Sequence, residues 1–171
     1  STDDLILLSD TSASGALKKM TRANFVSGLT NTPSWSVGRS ANQSISNGTY
    51  TKIQFDLEFF DTASAFDNSS NYNFTVPSGQ AGKYFISVST RTTSSSDFDS
   101  FYIRVQKNNA EFLFNSIRNE FRETTSISSV VDLAVGDTLH VEAYNGEGST
   151  IEISGSSDKP SGTHFSGFKL I

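Results

Sequence analysis

Apolar and polar side chains alternate most clearly between Tyr50 and Phe60. Every second residue there is large and apolar, at Ile53, Phe55, Leu57 and Phe59. A period of two places successive side chains on opposite faces of an extended chain. The pattern therefore predicts a β-strand with one face buried and one face in water.

Other short segments with the same alternation follow along the chain, separated by turns rich in Ser, Gly and Asn. The predicted strands are Trp35–Val37, Tyr72–Val76, Tyr84–Thr90, Tyr102–Asn109, Phe112–Phe114, Ser126–Leu133, Leu139–Ala143, Ile151–Ile153 and Phe165–Ile171. Many short strands with turn signals between them are typical of all-β sandwiches and jelly rolls. We therefore predict an all-β fold.

The last strand, Phe165–Ile171, places large apolar groups around Gly167. A glycine inside a strand often marks a point where a neighbouring group approaches closely. We therefore expect this closing strand in the middle of a sheet, with a neighbour packed against Gly167.

The beginning of the chain has a different organisation. Its predicted elements are a strand at Leu5–Leu8, a turn, a returning hairpin strand at Ala16–Met20 and a short helix at Arg22–Ser27. A segment of about 30 residues cannot bury a core alone. We predict an N-terminal arm at residues 1–33, which packs on a partner, and a head domain at residues 34–171.

Composition and charge exclude several classes of function. Aromatic residues make up 12% of the chain, which argues against disorder, and the net charge is −5. Basic residues cluster only at Lys18, Lys19 and Arg22, so we predict no nucleic-acid partner. No apolar run approaches the ~20 residues that span a bilayer, so we predict no membrane insertion. The absence of cysteine excludes disulfides and thiolate chemistry.

Three segments together resemble the C1q/TNF-like family of β-sandwich domains. They are Tyr72-Asn73-Phe74-Thr75-Val76-Pro77, Gly82-Lys83-Tyr84-Phe85-Ile86 and Phe165-Ser166-Gly167-Phe168-Lys169-Leu170. The family has a Phe-x-x-Pro … Gly-x-Tyr-x-Phe segment and ends in a Phe-Ser-Gly-Phe-x-Leu strand. The turn at Lys107–Asn109 is similar to a family turn, with Asn109 in place of the usual glycine. The resemblance implies a jelly-roll sandwich that assembles as a compact homotrimer and binds without catalysing a reaction.

The arm resembles a segment found before the C-terminal heads of tailed-bacteriophage fibres and other virion proteins. The matching residues are Asp4-Leu5-Ile6-Leu7-Leu8-Ser9-Asp10 and Leu17-Lys18-Lys19-Met20-Thr21-Arg22-Ala23-Asn24-Phe25. Phe25 stands where leucine is more usual. This resemblance implies a virion location and attachment to other virion proteins through the arm.

The sequence offers little for catalysis. Its two histidines are His140 and His164, and no Gly-x-Ser-x-Gly elbow accompanies them. His140 lies between two residues predicted to face the core, so we expect its side chain on the wetter face. We predict no catalytic residue and no enzyme activity.

Two acidic loops contain potential oxygen ligands for calcium, at residues 67–71 and 97–99. Neither has the regular spacing and final bidentate glutamate of a calcium-binding loop. We therefore predict no cofactor and no metal, with calcium as the alternative.

Four aromatic residues do not fit one inward face of the predicted strands, namely Phe60, Tyr72, Tyr102 and Tyr144. Surplus aromatic residues on the outside of a sandwich usually mark an interface, so they are candidates for a trimer interface. The alternative is that the strand register is shifted by one residue and that they belong to the core.

These observations lead to a functional hypothesis: a trimeric tail-fibre or spike head of a phage virion that binds a receptor on the host surface, such as a glycan. Loops on a rigid scaffold usually carry recognition. The candidate receptor-binding residues are Ser94, Asp97, Asp99, Asn145, Glu147 and Asp158. The alternatives are a trimeric capsid cement or decoration protein of a phage and a cellular C1q-like binding protein.

Overall fold

The computed structural model describes residues 5–10, 16–21, 30–93, 99–118, 124–158, 160 and 162–171. The chain forms two compact units, Ser1–Asn31 together with Ile171, and Thr32–Leu170. No α-helix is present among the described residues, so none there is long and apolar enough to cross a membrane.

Fifteen β-strands are found in the described residues. They are β1 (Leu5–Asp10), β2 (Ala16–Thr21), β3 (Ser34–Gly38), β4 (Gln43–Ile45), β5 (Tyr50–Lys52), β6 (Leu57–Asp61), β7 (Phe66–Asp67), β8 (Asn73–Thr75), β9 (Gly82–Arg91), β10 (Phe101–Lys107), β11 (Ala110–Ile117), β12 (Thr124–Leu133), β13 (Thr138–Asn145), β14 (Ile151–Ile153) and β15 (His164–Lys169).

In the first unit, β1 and β2 pair antiparallel, with Leu5 opposite Thr21 and Asp10 opposite Ala16. The predicted hairpin is therefore confirmed. The predicted short helix, Arg22–Ser27, lies outside the described residues.

The second unit contains two larger antiparallel sheets. A five-stranded sheet has the order β12–β9–β15–β3–β6, and a six-stranded sheet has the order β11–β10–β13–β8–β7, with β5 also paired to β13. Strands β4 and β14 form a separate pair. Neighbouring strands are mostly far apart in sequence, as in a jelly roll, so the predicted all-β sandwich is confirmed.

The core between the sheets is rich in aromatic rings. The fully buried ones are Trp35, Phe55, Phe74, Tyr84, Phe101 and Phe165. Trp35 of β3 stacks on Phe74 of β8, with ring centroids 3.8 Å apart, and meets Phe165 edge-on at 5.5 Å. The buried indole N–H of Trp35 finds no acceptor among the described residues, so packing alone holds the ring across the two layers.

The closing strand β15 lies in the middle of the five-stranded sheet, between β9 and β3, as predicted. A Cβ on Gly167 would lie 2.5 Å from Cη2 and 2.6 Å from Cζ2 of Trp35, and 2.9 Å from the carbonyl oxygen of Phe85. The neighbour expected at this glycine is thus the Trp35 ring. Only glycine leaves room for it, because such short distances do not occur between carbon atoms that are not bonded.

The strand predicted at residues 50–60 is wrong as one continuous element. The chain leaves the six-stranded sheet after β5 and enters the five-stranded sheet at β6. The residues between form no strand, although Ile53 and Phe55 are fully buried. The alternation correctly indicated that Ile53 and Phe55 face the core, but Leu57 and Phe59 are only partly buried and lie outside the core cluster, because the chain changes sheets and β6 pairs with a register shift.

Where the chain crosses between the sheets, side chains take the place of a neighbouring strand and form hydrogen bonds with the backbone. The amide of Gln43 donates to the carbonyl of Lys52 at 2.8 Å and accepts from the backbone N–H of Gln54 at 2.9 Å. The buried guanidinium of Arg39 donates to the Gln54 carbonyl and pairs with Asp56 at 2.9 Å. These contacts satisfy backbone groups that would otherwise be buried without partners.

The turn between β10 and β11 confirms that asparagine can replace the family's usual glycine there. Asn108 and Asn109 both have positive φ, at 53° and 64°. The side chain of Asn108 donates to Asp137 at 2.7 Å and accepts from the N–H of Thr138 at 2.9 Å. Hydrogen bonds from Lys107 and Asn108 lower the pKa of Asp137 to about 2. The two turns at this end of the sandwich are therefore tied together.

Replacing Gly167 with alanine tests the contact with Trp35. We expect Gly167→Ala to lower the free energy of unfolding by about 3 kcal/mol, because the added methyl group overlaps the indole. In a Trp35→Phe background, which lacks the overlapping atoms, the same change should cost clearly less. Urea unfolding at a fixed protein concentration measures both values.

Ser166→Ala is the control, since its side chain points to the other face of the same strand, and it should stay within about 0.5 kcal/mol of the parent. Equal costs of Gly167→Ala in the two backgrounds would show that Trp35 does not impose the glycine.

Candidate assembly and binding surfaces

The outward face of the five-stranded sheet is built from rows of serine. Directly paired residues place one serine from each of four strands in a line: Ser36, Ser166, Ser87 and Ser128. Phe60 of β6 lies opposite Ser36 and continues this row as an exposed aromatic ring. The next row on one side contains His164, Ser89 and Ser126.

A strip of apolar side chains lies beside the serine row. Phe168, Phe85 and Val130 are directly paired across three strands, and the two rings lie 5.5 Å apart. Val130 is 55% exposed. The three rows contain no Asp, Glu, Lys or Arg. We refer to these rows, with Phe60, as the assembly face, because exposed apolar groups on an uncharged surface are typical of an interface core.

A second aromatic cluster crosses the outward side of the six-stranded sheet. Tyr50, Tyr144 and Tyr102 lie on three adjacent strands, with 5.2 Å between successive ring centroids. Phe114 of the edge strand β11 extends the stack, 5.5 Å from Tyr102. We call these four residues the tyrosine stack. Arg104 lies over the ring of Tyr50, with its guanidinium carbon 3.5 Å from the centroid.

An ion-pair network accompanies the tyrosine stack. Arg104 Nε donates to Glu142 at 2.8 Å, and its NH1 lies 3.3 Å from Glu111. Nε2 of His140 lies 3.3 Å from the second carboxylate oxygen of Glu142. Burial alone would raise the pKa of Glu142, but the hydrogen bond and charge of Arg104 hold it below its ordinary value.

The expectation that His140 faces water is wrong. Its side chain is only 4% exposed, because neighbouring long side chains on the same face cover it. Burial lowers the pKa of His140 from its ordinary value, and the charge of Lys52 lowers it further. The histidine is therefore held neutral at pH 7, next to Glu142. His164 lies in the other sheet, where Nδ1 contacts the carbonyl oxygen of Gly162 at 3.2 Å.

The four candidate interface residues lie on different surfaces. Phe60 is on the assembly face, whereas Tyr102 and Tyr144 belong to the tyrosine stack on the other sheet. Tyr72 lies in a loop with φ of 50°. None belongs to the buried core, so the alternative of a shifted register does not hold. A single flat contact cannot include all four residues.

The candidate receptor-binding residues also differ in position. Asp99 and Asp158 are exposed, and Glu147 accepts a hydrogen bond from the N–H of Ser100 at 3.2 Å. Asn145 is fully buried: its amide donates to the carbonyls of Ile45 and Ser149, and its oxygen accepts from the N–H of Glu147.

The prediction of Asn145 as a receptor contact is therefore corrected, because this residue holds the loop in shape and cannot reach a ligand. Ser94 and Asp97 lie outside the described residues.

The Asp67 loop uses its carboxylate for its own turn. Asp67 accepts hydrogen bonds from the backbone N–H groups of Ser69, Ser70 and Asn71, and these bonds hold its pKa well below the ordinary range. In the part of the chain that the structure describes, no group of three His, Asp or Glu side chains could hold a metal ion. The absence of a cofactor remains a prediction.

The apolar strip lies outside the set of residues that the sequence predicted for an interface. The available signal was the second face of β9, where Phe85 alternates with the buried residues Tyr84 and Ile86. Phe168 showed the same signal in β15. Both residues were assigned to strands, but neither was assigned to the outward face.

A family model described as the C1q domain matches residues 34–170. No curated protein matches the chain at a significant level. The globular domain of zebrafish complement 1qA is a similar solved structure, with 17% identity, a TM-score of 0.58 and coverage of 81% of this chain and 98% of that chain.

Two other solved structures have the same fold. The PRD1 vertex protein P5 has 15% identity and a TM-score of 0.62, and covers 83% of this chain and 99% of that chain. Murine APRIL has 12% identity and a TM-score of 0.59, with coverage of 80% and 98%. Similarities at these identities support the fold of the second unit.

The buried His140 predicts a specific pH dependence. A histidine with a lowered pKa binds fewer protons in the folded state than in the unfolded state, where its pKa is about 6.5. Stability should therefore fall as the pH drops below about 6.5, and His140→Gln should show a flatter dependence between pH 7 and pH 5.

Thermal unfolding at each pH measures this slope. His164→Gln, which removes the other histidine, reports any contribution from that residue. A wild-type slope in His140→Gln would contradict the assignment of the pH dependence to His140.

Proposed function

The chain belongs to the C1q domain family, and we propose that it forms a homotrimeric fibre or spike head in a phage virion that binds the host cell surface. C1q/TNF-like domains are non-enzymatic binding or structural modules, so the chain is not an enzyme. Domains of this family typically form homotrimers.

The assembly face is the observation that supports self-association. Contact of Phe168, Phe85 and Val130 with water is unfavourable. Burying apolar surface stabilises an assembly by about 25 cal/mol of free energy per Å². The surrounding serines are small and lose few favourable contacts with water when a partner covers them, provided that their hydroxyls are hydrogen-bonded. No unpaired charge of these rows would be buried.

The virion location is supported by two similarities. The PRD1 vertex protein P5, which comes from a phage particle, shares the fold over most of both chains. The arm also resembles segments that precede fibre heads, and its β1–β2 hairpin is too small to form a core of its own. An arm of this kind would attach the head to other virion proteins.

Recognition of the host would fall to the exposed loops of the head. Asp99, Glu147 and Asp158 lie in the predicted recognition loops, which a rigid sandwich supports. Three copies would present each loop three times. Multivalent attachment can exceed the affinity of one site by a factor of about 10² to 10⁴, so weak contacts with a surface glycan would suffice.

A second candidate function is a trimeric cement or decoration protein on the phage capsid. The specific observation in its favour is the similarity to a vertex protein. In this case the arm would anchor the head to the capsid lattice. A cellular C1q-like binding protein has the same fold and is the third candidate.

A pair of matched substitutions tests self-association. Val130 on the assembly face is 55% exposed, and Val135 in the turn that follows β12 is 52% exposed. We expect the parent chain and Val135→Glu to have the mass of a trimer in light scattering, and Val130→Glu to shift strongly toward monomer, because it buries a charge in the interface. A monomeric parent, or equal masses for the two variants, would refute the assembly proposal.

Imaging of virions tests the location. Gold-labelled antibody against the head should bind at the tail if the protein is a fibre or spike and at the capsid if it is a decoration protein. Particles without label, from a phage that encodes this chain, would refute both virion functions.

A further inference from the structure

Two cationic side chains lie next to the tyrosine stack, on the outward side of the six-stranded sheet. Lys52 is two residues along β5 from Tyr50, and its ammonium donates to the backbone carbonyl of Asn71 at 3.3 Å. Arg118 follows β11, is exposed, and has its guanidinium carbon 5.1 Å from the centroid of the Tyr102 ring. Among the residues that the structure describes, no carboxylate lies within ion-pair distance of either cation. Both are therefore free to pair with a negatively charged ligand.

The carboxylates near the stack, in contrast, already have partners. Arg104 Nε donates to Glu142 at 2.8 Å, and its NH1 lies 3.3 Å from Glu111. Glu147, in the loop after β13, accepts a hydrogen bond from the N–H of Ser100 at 3.2 Å. Partners of this kind reduce the repulsion between a carboxylate and an approaching anion. The charges of this surface therefore favour a ligand with negative groups.

A row of tyrosines with free hydroxyls connects the two cations. Tyr50, Tyr144 and Tyr102 are directly paired across three strands, with Lys52 at one end of the row and Arg118 at the other. In the described part of the chain none of the three hydroxyls has a hydrogen-bond partner, and none is a buried atom, so all are open to solvent. A tyrosine hydroxyl both donates and accepts, and its ring is apolar. Such a row suits a ligand that combines hydroxyl groups with C–H surface.

The size of this surface limits what can bind. We refer to the tyrosine stack together with Lys52, Arg104 and Arg118 as the cationic face; it spans four strands and three rows of side chains. With strands about 4.8 Å apart and rows about 6.8 Å apart, it measures about 14 Å in each direction, or roughly 200 Å². A stable protein interface buries about 800 Å² on each partner. The face is therefore too small for a folded protein and is the size of a short oligosaccharide.

We propose that the cationic face binds an acidic saccharide. Lys52 and Arg118 pair with its carboxylates, and the tyrosine row exchanges hydrogen bonds with its hydroxyls. This inference deepens the proposed binding to the host surface, on which it rests, by naming a ligand class and a recognition surface beside the loops. The tyrosine row and the assembly face lie on opposite sheets, so one chain can use both.

Titration of the purified full chain with defined saccharides, followed by NMR, tests the inference. The acidic probes are short oligomers of galacturonate, mannuronate and sialic acid; the neutral probe is maltohexaose, and hexaglutamate is the acidic peptide. We expect at least one acidic saccharide to bind at least about tenfold more tightly than maltohexaose and hexaglutamate. Its dissociation constant should rise when the salt concentration increases from about 0.05 M to about 0.5 M, because salt screens the cations.

Matched variants locate the site. Lys52→Gln and Arg118→Gln each remove one cation and should weaken binding of the acidic saccharide about five- to tenfold. Lys83→Gln removes an exposed lysine from the other sheet and should bind like the parent. Tyr144→Phe keeps the ring, removes one hydroxyl and should cost about fivefold, whereas Tyr72→Phe, in a loop, should cost nothing. Far-UV circular dichroism checks that each variant is folded.

The possible results lead to different conclusions. Parent-like binding by both Lys52→Gln and Arg118→Gln would overturn the site. Equal binding of maltohexaose, or no binding of any acidic saccharide, would overturn the ligand class. Tighter binding of hexaglutamate would identify an acidic peptide as the partner and would also overturn the proposal.

Binding of the labelled chain to cells of the phage's host separates this inference from the proposed function. Cell binding that Lys52→Gln and Arg118→Gln leave unchanged would keep the proposed function and overturn the role of the cationic face. Saccharide binding without cell binding would refute the host-binding function and leave the saccharide site standing.

Discussion

The head domain depends on the contact between the Trp35 ring and the backbone of Gly167. The indole occupies the volume that a side chain at position 167 would need, so the closing strand β15 must bring glycine to this point. On its other side the ring stacks on Phe74, which belongs to the opposite sheet. One residue thus fixes the register of the central strand and the spacing of the two layers, because a shift by one residue would bring a side chain into the ring.

The outward faces of the strands follow from the same alternation of side chains. Strand β9 sends Tyr84, Ile86 and Val88 inward, and its other face presents Phe85, Ser87 and Ser89. The five-stranded sheet therefore combines a well-packed interior with an exterior whose three middle rows carry no charged residue, although Lys83 and Asp132 flank them. The six-stranded sheet differs, since its outer side carries the Arg104–Glu142 pair and the tyrosine stack. The two sheets supply a scaffold on which binding functions can be built without catalytic chemistry.

Local patterns predicted the fold because each depends on near neighbours in the chain. The period of two identified the strands, Gly167 indicated a close approach, and the asparagines at 108 and 109 fitted a turn with positive φ. The same local rules failed between Tyr50 and Phe60, where the chain changes sheets. That crossing is stabilised by the side chains of Gln43 and Arg39, which lie several residues earlier in the sequence.

The sequence by itself therefore determined the class of fold, the family and most of the inward-facing residues, because strand periodicity and the motif around Gly167 are local properties. Tertiary structure alone decided which exposed residues share a surface. Pairing across strands placed Phe85, Phe168 and Val130 in one strip, separated Phe60 from Tyr102, and buried His140 and Asn145. The physical reason is that the composition of a surface depends on which strands become neighbours. Pairing between strands that are far apart in the chain is not indicated by local sequence patterns.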